Sequence, residues 1–300
     1  MPDFGSQDYW ETRFANDAYS FDWLLPVKTF LEFVGKWAPP NEIRKAEVLH
    51  IGCGTSDSSL LRNVVAEPRQ IHNIDFSQSA IDAASLREKR NLEDDAVQEP
   101  QRDSTNQSVD LPETEQLMRW SCSDLLSLHS ALDLLKRQQE FGQLYDLVLD
   151  KSTSDSIACA STVQTTLPYA LSIDGWTRGI SHSTVNQHID VHPLHVLAVH
   201  LAALTRPTTG QWIALSYAED RFPFLQPYPQ TESHGLLPDS TIKAGFPNPS
   251  RLWRLGAKQE IVKEETLAER KRRMSSGALY RPKTSYWLYV LVRTDALITY

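Results

Sequence analysis

The chain has only three cysteines, Cys53, Cys122 and Cys159, at wide and unpatterned spacing. An odd number without a CxxC pair argues against a disulfide framework and a cysteine-held zinc site, and reads as reduced thiols in a cytosolic protein. Long apolar runs are missing too. The best stretch, Leu194 to Leu204, is broken by His195 and His200 and falls short of the ~20 residues a membrane helix needs. The opening Met1-Pro2-Asp3-Phe4-Gly5 has no basic segment followed by an apolar one, so no secretory signal is expected. Basic charge is in deficit: 30 Lys plus Arg stand against 38 Asp plus Glu, a net charge of −8. That excludes a protein that coats duplex nucleic acid through its phosphates. Internal repeats are absent as well. The expectation is a cytoplasmic or nuclear protein with no membrane partner and no nucleic-acid partner.

What remains is an ordinary globular composition, 41% hydrophobic over 300 residues. That length is about twice the ~150 residues of a typical domain, enough for one large α/β unit with insertions. The acidic excess is local. Residues 91–116 hold eight acids and the single Arg102, a net of −7, among Pro, Ser and Gln with almost nothing to bury. They read as a disordered surface insertion. Residues 161–193 and 222–250 read as loop insertions, the second because six prolines forbid long regular elements. Around them, strand-like and helix-like segments alternate, the signature of a parallel sheet covered on both faces.

The run Ala46 to Ile51 ends at Gly52-Cys53-Gly54-Thr55-Ser56-Asp57, with a helix-compatible stretch from Ser58 to Val65 behind it. A strand entering two glycines and then a helix lets backbone N–H groups approach a ligand, since glycine has no Cβ in the way. A second strand, Gln70 to Asp75, ends in an acid 21 residues after Gly54. Such an acid can accept hydrogen bonds from both hydroxyls of an adenosine ribose. Dinucleotide folds usually place a third glycine where Asp57 stands here. A carboxylate there repels a diphosphate but tolerates the cationic sulfonium and ammonium of S-adenosyl-L-methionine. Further strands are expected at Met118 to Cys122, ahead of Asp124, and at Leu144 to Leu149, ahead of Asp150 and Lys151. The helix His192 to Thr205 leads to a strand at Gln211 to Tyr217, and Lys258 to Lys263 with Tyr286 to Val292 form a closing antiparallel pair. Seven strands with a terminal hairpin fit a Rossmann-like class I methyltransferase better than a six-stranded dehydrogenase.

The segments YWETRF (9–14), FDWL (21–24), VLHIGCGTSDSS (48–59), NIDFS (73–77) and VLDKSTSDSI (148–157) resemble the methyltransferase-like group related to lysine methyltransferases of translation elongation factor 1-alpha. The resemblance covers about residues 8–217 and the final strand. It implies a single S-adenosylmethionine-dependent methyltransferase domain with an N-terminal lid over residues 1–24, where Trp10, Phe14 and Trp23 match. It implies cofactor contacts at Gly52, Gly54, Asp75, Phe76, Asp124, Leu125 and Lys151. Ser152 departs from the group, which commonly has glycine there. The acceptor so implied is a protein lysine; a small molecule is the alternative, and a cofactor-binding module without chemistry is a third reading.

Asp150 and Asp155, around the end of the fourth strand, are candidates for orienting the acceptor, against simple turn capping. The N-terminal aromatics could instead be a hydrophobic cap. Asp75 could cap the helix after it, and Asp124 the helix expected over Leu125 to Arg137. His182, His188, His192, His195 and His200 are read as loop or core histidines, because only His188, His192 and His195 lie close together and only Asp190 joins them. No metal is assigned. The run Glu269 to Arg273 is read as a solvated helix end, without the alternating aromatics of an RNA-binding strip.

Overall fold

Val48–Ile51, Ile71–Asp75 and Leu147–Lys151 are buried at every position. Strands covered on both faces favour near-continuous apolar sequence, which Val48–Ile51 and Leu147–Leu149 approach; in Ile71–Asp75 the buried His72, Asn73 and Asp75 are tolerated because each has a hydrogen-bond partner. The computed structural model describes residues 2–16, 22–38, 40–56, 59–98, 117–174, 187–225, 236–262, 271, 275 and 284–300. In chain order its elements are α1 (Gln7–Asn16), α2 (Val27–Trp37), α3 (Pro40–Ile43), β1 (Val48–Ile51), α4 (Ser59–Arg62), β2 (Ile71–Asp75), α5 (Gln78–Gln98) and β3 (Arg119–Cys122). Then come α6 (Leu128–Glu140), β4 (Leu147–Lys151), α7 (Thr153–Ile157), β5 (Val163–Leu167), β6 (Ser172–Ile173), β7 (Gln187–Val191) and α8 (Pro193–Leu204). The chain ends with β8 (Gln211–Ser216), α9 (Asp239–Lys243), β9 (Trp253–Val262), β10 (Ser285–Arg293) and β11 (Ile298–Thr299).

The main sheet has seven strands in the order β3-β2-β1-β4-β8-β10-β9. The first five are parallel, and β10 runs antiparallel to both β8 and β9. Strand order reverses between β1 and β4, so the crevice at the carboxyl ends of those strands is where a ligand is received. One apolar layer packs α6 and α8 under the sheet through Leu49, Val148, Leu197 and Trp212; the other packs α2 and α4 through Val48, Leu149, Phe30 and Leu61. All twelve residues of α8 are buried, as expected of a helix apolar on every side. No helix among the described residues is long and apolar enough to cross a membrane.

Several boundaries differ from the sequence reading. Helix α5 runs on to Gln98, so residues 91–98 of the acidic stretch are helical; residues 99–116 lie outside the described residues. The 161–193 insertion contributes the β5–β7 antiparallel pair and the short β6, which pairs with β11. Strand β9 starts at Trp253, five positions before the expected Lys258, because alternation there is blurred by Gly256 and Lys258. Helix α6 begins at Leu128 with Ser127 as its N-cap, its Oγ accepting from Ser130 N–H at 3.3 Å. Asp124 is therefore not that helix's cap. The Glu269 to Arg273 run lies outside the described residues, apart from Lys271.

Candidate functional site

A cavity of about 250 Å³ opens at the carboxyl ends of β1, β2, β3 and β4. All ten residues assigned to cofactor contact from the sequence line it: Trp10, Phe14, Trp23, Gly52, Gly54, Asp75, Phe76, Asp124, Leu125 and Lys151. The turn after β1 holds Gly52 at φ +55° and Gly54 at φ +52°, backbone that side chains other than glycine rarely adopt. The two glycines do different work. A Cβ on Gly52 would stand 2.1 Å from Thr153 Oγ1, which donates to the Ile51 carbonyl at 2.9 Å; Gly52 lets the β4 end pack against the turn. A Cβ on Gly54 would face the Phe14 ring at 3.2 Å across the cavity.

Asp75 ties this turn to α5. One carboxylate oxygen accepts from Gly54 N–H at 2.9 Å and the other from Ser77 N–H at 2.9 Å. Each keeps a lone pair for a further donor. The residue is 5% exposed, and burial raises its pKa from 3.8 to about 6 against the lowering effect of those backbone N–H groups. Asp124 is exposed at the rim and accepts from Leu126 N–H at 2.9 Å.

The side of the cavity facing the glycine turn is built by α1. Trp10 and Phe14 stack at 5.5 Å, and Phe4 and Trp23 meet Trp10 at 6.1 Å each. Of these, Trp10, Phe14 and Phe4 form with Ala80 and Phe76 an apolar cluster separate from both sheet layers. The anchor for this helix is Glu11, which the sequence reading did not single out. Its carboxylate accepts from Ser77 Oγ at 2.6 Å and Ser79 Oγ at 2.5 Å, at the start of α5. Those hydrogen bonds lower its pKa, and a negative charge at a helix N-terminus is favourable. Gln7 adds a bond from Nε2 to the Phe76 carbonyl at 2.6 Å.

Asp150 and Asp155 require correction: neither lines the cavity. Asp150 is wholly buried inside β4 and accepts from Thr153 N–H at 2.8 Å, Ser154 N–H at 3.2 Å and Trp212 Nε1 at 3.1 Å. Asp155, 4% exposed, accepts from Ser152 Oγ at 2.7 Å, Ser216 Oγ at 2.5 Å and Arg221 Nε at 2.8 Å. They brace the β4–α7 corner, so the turn-capping alternative is the better account. Ser152 adopts φ +71°, which explains why glycine is the usual residue there; its bond to Asp155 offsets the steric cost of a side chain.

Two histidines also shape the site, His200, read as a loop or core residue, and His50, which the sequence reading did not single out. His50 lines the cavity, with Nδ1 2.9 Å from Asn73 Oδ1, and burial lowers its pKa to about 4, so it stays neutral. His200 Nδ1 lies 2.7 Å from the Leu125 carbonyl and must donate to it, while Nε2 lies 2.7 Å from Tyr169 Oη. It thereby holds the Asp124-Leu125 loop from below. Nothing local in the sequence announces either role, since both partners are distant in the chain. No cluster of His, Cys, Asp or Glu among the described residues has the geometry to hold a metal.

The strand order is that of a seven-stranded, mostly parallel Rossmann-like sheet closed by an antiparallel pair, the architecture that the sequence reading expected. No family profile matches the chain. It is 31% identical over 163 residues to Methyltransferase srdJ of Neurospora crassa, a match that takes in 53% of this chain and 56% of that protein. The chain thus aligns with little more than half the length of that relative. Among solved structures, a SAM-dependent methyltransferase from Anabaena variabilis superposes with a TM-score of 0.46 at 12% identity, covering 96% of this chain and 93% of that one. The N-methyltransferase NodS from Bradyrhizobium japonicum, in complex with S-adenosyl-L-homocysteine, gives 0.44 at 10% identity, covering 95% and 98%.

Proposed function

We propose that the chain is an S-adenosylmethionine-dependent methyltransferase whose acceptor is a small molecule. The observation that carries the first part is the convergence of Gly54, Asp75 and Asp124 on one cavity beneath an aromatic lid. Asp75 has lone pairs left for ribose hydroxyls, Asp124 is free at the rim for an exocyclic amine, and Gly54 leaves room where a Cβ would intrude. Aromatic faces at Trp10, Phe14 and Trp23 suit a cationic ligand. Bound S-adenosylmethionine supplies a methyl group already activated by positive sulfur. The protein's contribution is then to orient an acceptor and exclude water, the work of Phe4, Trp10 and Trp23.

The acceptor class rests on the walls outside the nucleoside carboxylates, where the apolar Phe4, Trp23, Ile157 and Ala160 stand beside Ser152 and Ser156. A lysine acceptor has a free pKa near ~10.4 and must lose its proton first, and Asp150 and Asp155 do not reach the cavity to help. The protein-lysine reading, with an elongation-factor-like substrate, is carried by the YWETRF and VLDKSTSDSI segments and is the second one. Incubating cell extract with labelled methyl donor decides between them: label is expected in the small-molecule fraction, and label in a protein band would reverse the order.

Titration calorimetry with S-adenosylhomocysteine tests the ligand, with NAD as the control that should not bind. Because ribose hydroxyls need the ionised Asp75, affinity is expected to fall as pH drops below about 6, by up to about tenfold per unit. Asp75→Asn should bind at least about tenfold more weakly at neutral pH, through lost charge-assisted bonds, and should lack the inflection. Folding responds in the opposite sense. With its pKa raised from 3.8 to about 6, folded Asp75 takes up a proton first, so its contribution to stability increases as pH falls through that window.

A further inference from the structure

Lys151 lines the cavity yet offers it no hydrogen. Its side chain is 4% exposed, and Nζ lies 3.0 Å from Asp22 Oδ1, 3.0 Å from the Trp23 carbonyl and 3.2 Å from the Leu25 carbonyl. An ammonium group has three hydrogens, and these three acceptors take them. The two carbonyls flank Leu24, a non-glycine residue at φ +64°. Leu25 N–H donates back to the Trp23 carbonyl at 2.9 Å. A three-residue bond closed around a positive φ is the rare, strained hand of the γ-turn. The same stretch is tied to the next helix, since Asp22 Oδ2 accepts from Val27 N–H at 3.4 Å. It presents Trp23 edge-on to Phe4 at 5.4 Å and to Trp10 at 6.1 Å.

We propose that Lys151 is a positioning residue for ligand binding, holding the strained turn at Leu24 so that Trp23 stands against Trp10 and Phe4 as part of the cavity wall. The inference rests on reading the cavity as an adenosyl-ligand site. Strain of this kind persists only where the surroundings over-determine it. Without the ammonium, the Leu25 carbonyl loses this donor and the Trp23 carbonyl one of its two, and Leu24 can relax to an ordinary φ, carrying Trp23 with it. Burial disfavours the charge on Lys151 while Asp22 supports it, so the ion pair and the turn depend on each other. A wall set in advance spares the ligand the cost of ordering it.

Lys151→Met keeps the aliphatic stem and removes the ammonium. It is expected to weaken S-adenosylhomocysteine binding about tenfold and to speed amide exchange at Leu25 in the ligand-free protein. Leu24→Gly removes the steric cost of the turn, so in that background the loss caused by Lys151→Met should shrink to about threefold or less. A loss of the same size in both backgrounds would mean that Lys151 acts by touching the ligand, and would overturn the proposal. Unchanged exchange at Leu25 in Lys151→Met would overturn it too. Should Lys151→Met not fold, Asp22→Asn tests the same contact from the other side: faster exchange at Leu25 supports the proposal and unchanged exchange refutes it. If the wild-type protein binds no S-adenosylhomocysteine, the functional reading fails by itself, and exchange at Leu25 still decides the role of Lys151.

Discussion

Asp155→Ala is expected to cost about 3–5 kcal/mol of stability, the range for breaking a buried ion pair by removing one partner. The side chain of Arg221 is only 10% exposed and pairs with Asp155 at 2.8 Å, so the truncation strands a guanidinium charge. It also leaves Ser152 Oγ, Ser216 Oγ and the Tyr217 N–H without their shared acceptor. Ser152 then keeps its left-handed backbone with nothing to offset it. A fall in melting temperature of roughly 5–8 °C follows for a chain of this size, and thermal unfolding followed by circular dichroism measures it. A residue acting on the acceptor would behave differently: the variant would melt normally and turn over slowly. That pattern would return Asp155 to the role the sequence reading gave it.

The second large effect concerns the lid. A protein lacking residues 1–16 is expected to lose more than about 100-fold in S-adenosylhomocysteine affinity while retaining a cooperatively folded sheet. The physical ground is the separation of the clusters: Trp10, Phe14 and Ala80 pack apart from the two layers that sandwich the sheet. Lids drawn from such low-stability units contribute binding and water exclusion more than global stability. Loss of the cooperative transition would instead make α1 a structural cap. Glu11→Gln gives a milder form of the experiment, since it removes the charge facing the start of α5 without removing the helix. Its affinity should fall in the same direction, with melting temperature nearly unchanged.

Of the strands nearest the cavity, Val48–Ile51 was legible as a mostly apolar run, whereas Ile71–Asp75 carries His72, Asn73 and Asp75 and was legible from its two isoleucines and its terminal acid. The Gly52–Gly54 turn and Asp75 were legible for a similar reason: positive φ and a strand-terminal acid are local requirements that leave a local trace. Asp150 and Asp155 misled because an acid beside a strand end looks the same whether it faces a ligand or braces a corner. Only the distant Trp212, Ser216 and Arg221 distinguish the two cases. Glu11 and His50 were obscured in the same way, their partners lying on other elements, as was the tie between Lys151 and Asp22. The β5–β7 pair was missed because its pattern is half exposed and its two strands are far apart in the chain.

The position of β10 has a consequence for how the molecule is made. It lies between β8 and β9 in the sheet although it follows β9 in the chain. During synthesis β9 therefore emerges before its native neighbour in the sheet, which arrives only after residues 263–284 have been added. At ribosomal speeds of ~5–20 residues per second, that interval is on the order of seconds, long compared with the microseconds in which a hairpin forms. Through it, β8 is left with an unpaired side carrying Trp212, Ala214 and Ser216, and β9 with an unpaired side of its own. Both are templates for another chain's strand. Slow translation of this stretch should therefore favour aggregation, and a chaperone that shields strand edges should raise the yield of folded protein.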